Sequence, residues 1–363
     1  MLQATAAHPH DSRPAAGWHY PARVAEMRAW FRSDEACLAY LDWLRWPEGF
    51  VCPHCASTSA GDGGLGVYRC RGCRRRVSVT SGTMFDKTRV PLTVWFEAIW
   101  LFTASKSGVS AAHLHQVLPI GSYQTAWTML AKLRQVVSTV DSAPLTGRVE
   151  VDETLIGGVR SGKRGRGADG KVLVVGAIEI TETGWGRARM AVIPDASAAS
   201  LRQFITENIA EGATVVTDAW KSYPPALAGK YTHEPFNISV SGRPAHEPLP
   251  AIHRIFALVK RMLLGTYQGG GSAEHLQEYL DEYVFRFNRR HTRQRGLVFM
   301  RLLQKAVAAV PTTYRDLVKV SRPKQTRPAG LPATTRSRPG TLDVDPQTRP
   351  WLRRRPTPGH QDG

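Results

Sequence analysis

Four of the chain's five cysteines stand together as Cys52, Cys55, Cys70 and Cys73, two C-x-x-C pairs separated by fourteen residues. Each such turn presents two sulfurs on one side, so two turns close a tetrahedral thiolate cage for one structural zinc ion. No other stretch restricts local geometry as tightly. A redox role needs only one pair, and a disulfide framework would spread its cysteines along the chain. Gly61, Gly63, Gly64 and Gly66 lie between the pairs and suit the tight hairpin of a ribbon. His54 is not needed as a ligand, and the isolated Cys37 reads as a small buried hydrophobe. Arg71, Arg74, Arg75 and Arg76 charge the second knuckle, which suits phosphate contact.

The rest of the composition points the same way. Among 363 residues, 48 Lys and Arg against 30 Asp and Glu leave a formal charge of +18, which favours a polyanionic partner. A hydrophobic content of 42% supplies real cores for two or three domains. No run reaches the roughly 18 to 20 apolar residues needed to span a bilayer, and the start lacks the apolar core of a signal peptide. The expectation is a cytoplasmic, nucleoid-associated protein with no membrane partner.

Five segments follow from periodicity. Residues 1–17 and 321–363 are biased in composition and read as a disordered N-terminus and a disordered basic tail. Residues 18–85 hold a helix, started by Ser33 with Asp34 and Glu35, and the ribbon. Residues 86–145 are helical, with two short helices around a Pro119 to Gly121 turn. This is a helix-turn-helix-like arrangement whose second helix would offer Gln124, Thr128, Lys132 and Gln135 to a DNA groove; a plain helical hairpin linking domains fits the pattern as well. Residues 146–310 change period: RVEVDETLIGG, KVLVVGAIEI and RARMAVIP read as strands, SAASLRQFITENI as a helix and ATVVTDAW as a fourth strand. YTHEPFNIS suits a short fifth strand, and two helices close the segment. Three meandering strands followed by alternation imply an α/β domain with a mixed sheet flanked by helices.

Strand alternation in VEVDE puts Glu150 and Asp152 on one face and Val149 and Val151 on the other. Asp218 falls where a later strand ends, a position that also suits a helix N-cap. Acids at the ends of neighbouring strands converge on one crevice, where a cation offsets their desolvation. The loop between the first two strands carries Lys163, Arg164 and Arg166 among glycines, suited to a phosphate backbone or simply to solvent. In the stretch from Leu249 to Tyr267, His253 and Lys260 are seven positions apart, about 20° from each other at the rim of an apolar stripe. Glu282 lies off its helix's stripe and is expected to face solvent, while Glu153 and Glu247 stand as auxiliary acids.

Together CPHC, YRCRGCRRRVSVTSGTMF, VEVDETLIGG, VVTDAWKSY, HRIFALVKRMLLGTY and HLQEYLDEYVFRFNRR resemble bacterial insertion-sequence transposases with an N-terminal zinc ribbon and an RNase H-like DDE-type catalytic domain. The resemblance spans about Phe31 to Arg290. It implies DNA strand cleavage and strand transfer with two divalent ions, magnesium or manganese, and places Asp152 and Asp218 at the first two catalytic positions. The third, often Glu with a lysine seven residues on, falls on His253 with Lys260, so that Asp152, Asp218 and His253 would surround the ions. Double-stranded DNA, as element ends and target, becomes the partner, bound by a homodimer or larger assembly. The same features also suit a metal-dependent nuclease, and the ribbon and basic segments alone suit a non-enzymatic DNA-binding protein.

Overall fold

The computed structural model describes residues 13–138, 143–157, 171–236, 249–268 and 275–318. Its helices α1 (Val24–Trp30) and α2 (Asp34–Arg45) precede the ribbon strands β1 (Ala60–Asp62), β2 (Val67–Cys70) and β3 (Arg76–Ser78). Helices α3 (Leu92–Ala104), α4 (Ala111–Val117) and α5 (Tyr123–Ser138) follow. Next come strands β4 (Arg148–Ile156), β5 (Val172–Thr181) and β6 (Gly184–Val192), helix α6 (Ala198–Asn208), strand β7 (Thr214–Thr217), helix α7 (Tyr223–Leu227) and strand β8 (Thr232–Pro235). The described chain closes with α8 (Pro250–Tyr267), α9 (Leu276–Asn288), α10 (Arg295–Ala308) and α11 (Tyr314–Val318). Lys163, Arg164, Arg166 and Glu247 lie outside the described residues.

The chain divides into two compact units, residues 1–100 with 294–363, and residues 101–293. In the first, Ser33 caps α2 by accepting from the Ala36 amide, and Cys37, Tyr40, Leu41 and Leu44 are buried on that helix. Phe31 packs its ring 5.0 Å from Tyr40 and 4.6 Å from Phe96, and Phe96 meets Phe299 at 5.7 Å. This aromatic core draws in α10, which periodicity alone groups with residues 146–310.

The second unit is the mixed sheet in the order β6-β5-β4-β7-β8. β4, β5 and β6 run antiparallel, whereas β7 lies parallel to both β4 and β8. Helices cover both faces, as in an RNase H-like domain. Val149 and Val151 turn to the layer holding Leu201, Phe204, Ile205, Tyr223 and Leu227 from α6 and α7. The opposite layer takes the stripe Ile252, Ile255, Phe256, Val259 and Leu263 of α8 and the stripe from Leu276 to Phe287 of α9. Both stripes were visible as 3.6-residue periods. The brief α7 was not, because its Tyr-Pro-Pro start is too short to set a period.

A buried ion cluster fastens α5 to this second unit. Glu282 is fully buried, contrary to the expectation of a solvent-facing acid. Its Oε2 accepts from Nε of Arg134 at 2.6 Å, and its Oε1 accepts from Arg286 and, at 2.7 Å, from the Tyr267 hydroxyl. Periodicity missed this because long side chains from α5 and α8 roof over a helix face that apolar residues alone leave uncovered. Burial pushes the Glu282 carboxyl pKa up, yet Arg286 and Arg134 outweigh it and hold the pKa below the usual value. Gly108 belongs here too: at φ +85°, a Cβ on it would lie 2.5 Å from the Tyr267 hydroxyl.

Replacing Glu282 by Ala strands two buried guanidinium groups, so urea unfolding of the full chain should lose about 3–5 kcal/mol. A depressed folded pKa adds stability above the unfolded pKa and loses it as pH falls through the folded one. Wild type should therefore lose more stability in acid than E282A, and equal acid slopes would count against this assignment.

Candidate zinc centre and candidate active site

The four cysteine sulfurs of the ribbon lie within 4.8 Å of one another. Cys52 Sγ is 3.7 Å from Cys73 Sγ, and Cys55 Sγ is 3.6 Å from Cys70 Sγ. A tetrahedron with zinc–sulfur bonds of about 2.3 Å has edges of roughly 3.8 Å, so this donor set fits zinc. The knuckles repeat one backbone plan. The amides of Cys52 and Cys70 each donate at 2.9 Å to a carbonyl five residues on, of Ser57 and Arg75. The residue after each second cysteine is left-handed, with φ of 57° at Ala56 and 59° at Arg74. The Cys73 amide, pointing at the Cys70 sulfur, leads the interactions that hold that thiol's pKa down to about 6, while its neighbour Cys55 is pushed up to about 11, as expected where close thiols share protons. Arg71, Arg74, Arg75 and Arg76 are all exposed. Arg75 contacts Nδ1 of His54 at 3.1 Å.

The second site is built on one face of β4. Asp152 sits in the middle of that strand rather than at its end, because pairing with β5 continues to Ile156. Opposite it is Gly176, where a Cβ would come within 2.7 Å of Phe256 and 2.8 Å of Ile252. The missing side chain lets α8 settle directly on the sheet beside Asp152. Nε2 of His253 then lies 3.5 Å from Oδ2 of Asp152. One turn-pair further along α8, the Lys260 ammonium donates to the Thr154 hydroxyl at 2.6 Å. Burial chiefly, and Lys171 in addition, lower the Lys260 pKa, while Asp152 raises it.

Asp218 approaches from the neighbouring parallel strand. The register pairs Glu150 with Val216, and Asp218 follows directly after that strand ends at Thr217. Its Oδ1 accepts from the Trp220 amide at 3.0 Å, a turn rather than a helix cap, since α7 begins only after Ser222. Asp152, Asp218 and Glu153 all bear on the buried Tyr223 hydroxyl, whose pKa burial and these carboxylates raise. Among the described residues only the cysteine quartet gathers three or more ligand atoms within 4.8 Å, so the geometry pairs His253 with Asp152 but leaves Asp218 turned toward its own backbone. Glu153, beside Tyr223, belongs to the opposite face of β4. Glu150, given no partner by sequence, accepts from the amides of Ala251 and Ile252 at 3.0 and 2.9 Å. Its place two residues before Asp152 was the available signal. On α5, Gln124 is exposed and Thr128, Lys132 and Gln135 are half-buried.

Residues 32–76 match the family model of a transposase zinc-ribbon domain, and residues 144–288 match that of an ISXO2-like transposase domain. The chain belongs to the IS1595-family transposases. A protein of Halobacterium salinarum, described as an uncharacterized protein in transposable element ISH50, is 25% identical over 214 residues, 54% of this chain and 70% of that one. The two matched segments of the transposase coincide with the thiolate cage and with the strand and helix that bring His253 to Asp152. No helix among its described residues is long and apolar enough to cross a membrane.

Purified transposase should contain one zinc per chain by elemental analysis. Changing Cys52 or Cys70 to Ser should remove it and lower the melting temperature of the ribbon-bearing unit; retention of stoichiometric zinc in either variant would refute the cage.

Proposed function

We propose that this transposase holds double-stranded DNA at its element ends and carries out strand cleavage followed by strand transfer, with Asp152, Asp218 and His253 around the reacting phosphate. The observation that carries the reading is the pairing of residues distant in sequence: α8 lays His253 3.5 Å from Asp152 on β4, and the parallel strand beside β4 leads to Asp218. The carboxylate donors of Asp152 and Asp218 suit hard cations such as magnesium or manganese. Two such ions, when bound, activate the attacking oxygen and stabilise the leaving one.

The side chains have distinct tasks in this reading. Asp152 and Asp218 supply the oxygen donors. The imidazole of His253 is a poor magnesium ligand, so its nearer task is to orient the Asp152 carboxylate through Nε2. Lys260, held on the same face through Thr154, meets the phosphate of the strand being cut. Arg74, Arg75 and Lys132, together with Lys163, Arg164 and Arg166, contribute backbone contacts that make binding salt-dependent. Both element ends are held together, which calls for a dimer or larger assembly on DNA.

The test is incubation of labelled end DNA with the full chain and magnesium or manganese. Wild type should yield cut and joined products. Asp152→Asn and Asp218→Asn should each lower cleavage by at least a hundredfold while the end-DNA Kd changes less than threefold. Cut but unjoined products would mark a nuclease. A shifted, intact band with wild type would mark a binding protein, and normal cleavage by both variants would remove these carboxylates from the reaction.

A further inference from the structure

We infer that Glu150 is a positioning residue: reaching from β4, it serves as the N-terminal cap of α8 and thereby sets the register of His253 and Lys260 against Asp152 and Thr154.

A helix start leaves its first amides without internal acceptors, and they are usually met by a local Ser, Thr, Asp or Asn. α8 has none. Its N-cap is Leu249, with no side-chain acceptor, and its first position is Pro250, which has no N–H. The His253 amide already donates to the Leu249 carbonyl at 3.3 Å. Two donors remain, Ala251 and Ile252, and Oε2 of Glu150 accepts both, at 3.0 and 2.9 Å. Glu150 is itself buried, at 6% exposure, a costly place for a carboxylate unless it holds such donors. Its anionic end also faces the positive end of the helix dipole.

The geometric consequence follows from two periods. Alternate residues of β4, namely 150, 152 and 154, share one face, and each meets α8: Glu150 at Ala251 and Ile252, Asp152 at His253, and Thr154 at Lys260. The apolar stripe of α8 resists separation from the sheet but tolerates small slides, since hydrophobic contact is non-directional. Paired charge-assisted hydrogen bonds at the helix start do not tolerate them.

The catalytic half of this inference rests on the function proposed above; the clamp does not. Hydrogen exchange in the full zinc-loaded chain reads the clamp alone. Glu150→Ala should raise exchange at the Ala251 and Ile252 amides at least tenfold, whereas Glu150→Gln, whose side-chain oxygen still accepts, should keep it within threefold of wild type. In the end-DNA assay E150A should lower the cleavage rate constant at least tenfold with Kd within threefold, and E150Q should restore most of it. Unchanged exchange in E150A overturns the proposal. So does an E150Q variant whose two amides exchange as fast as exposed ones, which is the deciding measurement if E150A fails to fold. Altered exchange with a wild type that never cleaves DNA keeps the clamp and removes only the function.

Discussion

A single face of β4 meets one helix at every second residue, and the arrangement of the second unit depends on that seam. Glu150, Asp152 and Thr154 present polar atoms to a layer that is otherwise apolar, where unpartnered carboxylates would be expensive. Each meets a complementary group on α8: two amides, an imidazole, an ammonium. The seam forms only because Gly176, opposite Asp152, leaves room for Ile252 and Phe256 to come down onto the sheet. A Cβ at that position would meet the ends of the Phe256 and Ile252 side chains at 2.7 and 2.8 Å, so both would have to shift. Polar specificity and close apolar packing are therefore one constraint here.

The ribbon solves a different problem. Its three short strands bury too little apolar surface to hold a fold alone, as small modules generally do. A metal ion held in the thiolate cage would supply the missing energy, because metal binding to such a site is itself folding free energy. Tyr68 ties the module to what precedes it: its ring stacks on Phe50 at 4.9 Å, and its hydroxyl donates to Asp42 of α2 at 2.9 Å. Arg45 of the same helix donates to the carbonyls of Ser78 and Val79 at 3.1 and 2.7 Å. Exposed arginines of the second knuckle are thus carried on a rigid support rather than on a loose loop.

Much of this was legible before any coordinates because it is written in short-range periods. The cysteine spacing foretold the cage, two-residue alternation foretold the faces of β4, and 3.6-residue stripes foretold which sides of α8 and α9 meet the sheet. What sequence could not reveal arises where distant groups satisfy one another. Glu282 looked solvent-facing by angle alone, yet Arg134 from a helix 148 residues away in sequence closes over it. Glu150 shared a face with Asp152, but nothing local announced that a helix a hundred residues later lacks its own cap. The membership of α10 in the first unit was equally hidden, because its partner Phe96 lies on α3.

Histidine rather than an acid at position 253 has a physical consequence at Asp152. A carboxylate at 253 would set like charges side by side in a half-buried crevice, and only bound cations would make that arrangement stable. A neutral imidazole can stand 3.5 Å from Oδ2 of Asp152 without that condition, and a protonated one is attracted to it. The Asp152–His253 pair is consequently complete in the protein alone, while Asp218 rests in its own turn against the Trp220 amide. In the proposed site, two of the three groups are thus held in place by the seam between β4 and α8, and the third by the loop after β7. Bringing Asp218 to the other two would therefore fall on that loop, where the residue after it, Ala219, is left-handed at φ 63°.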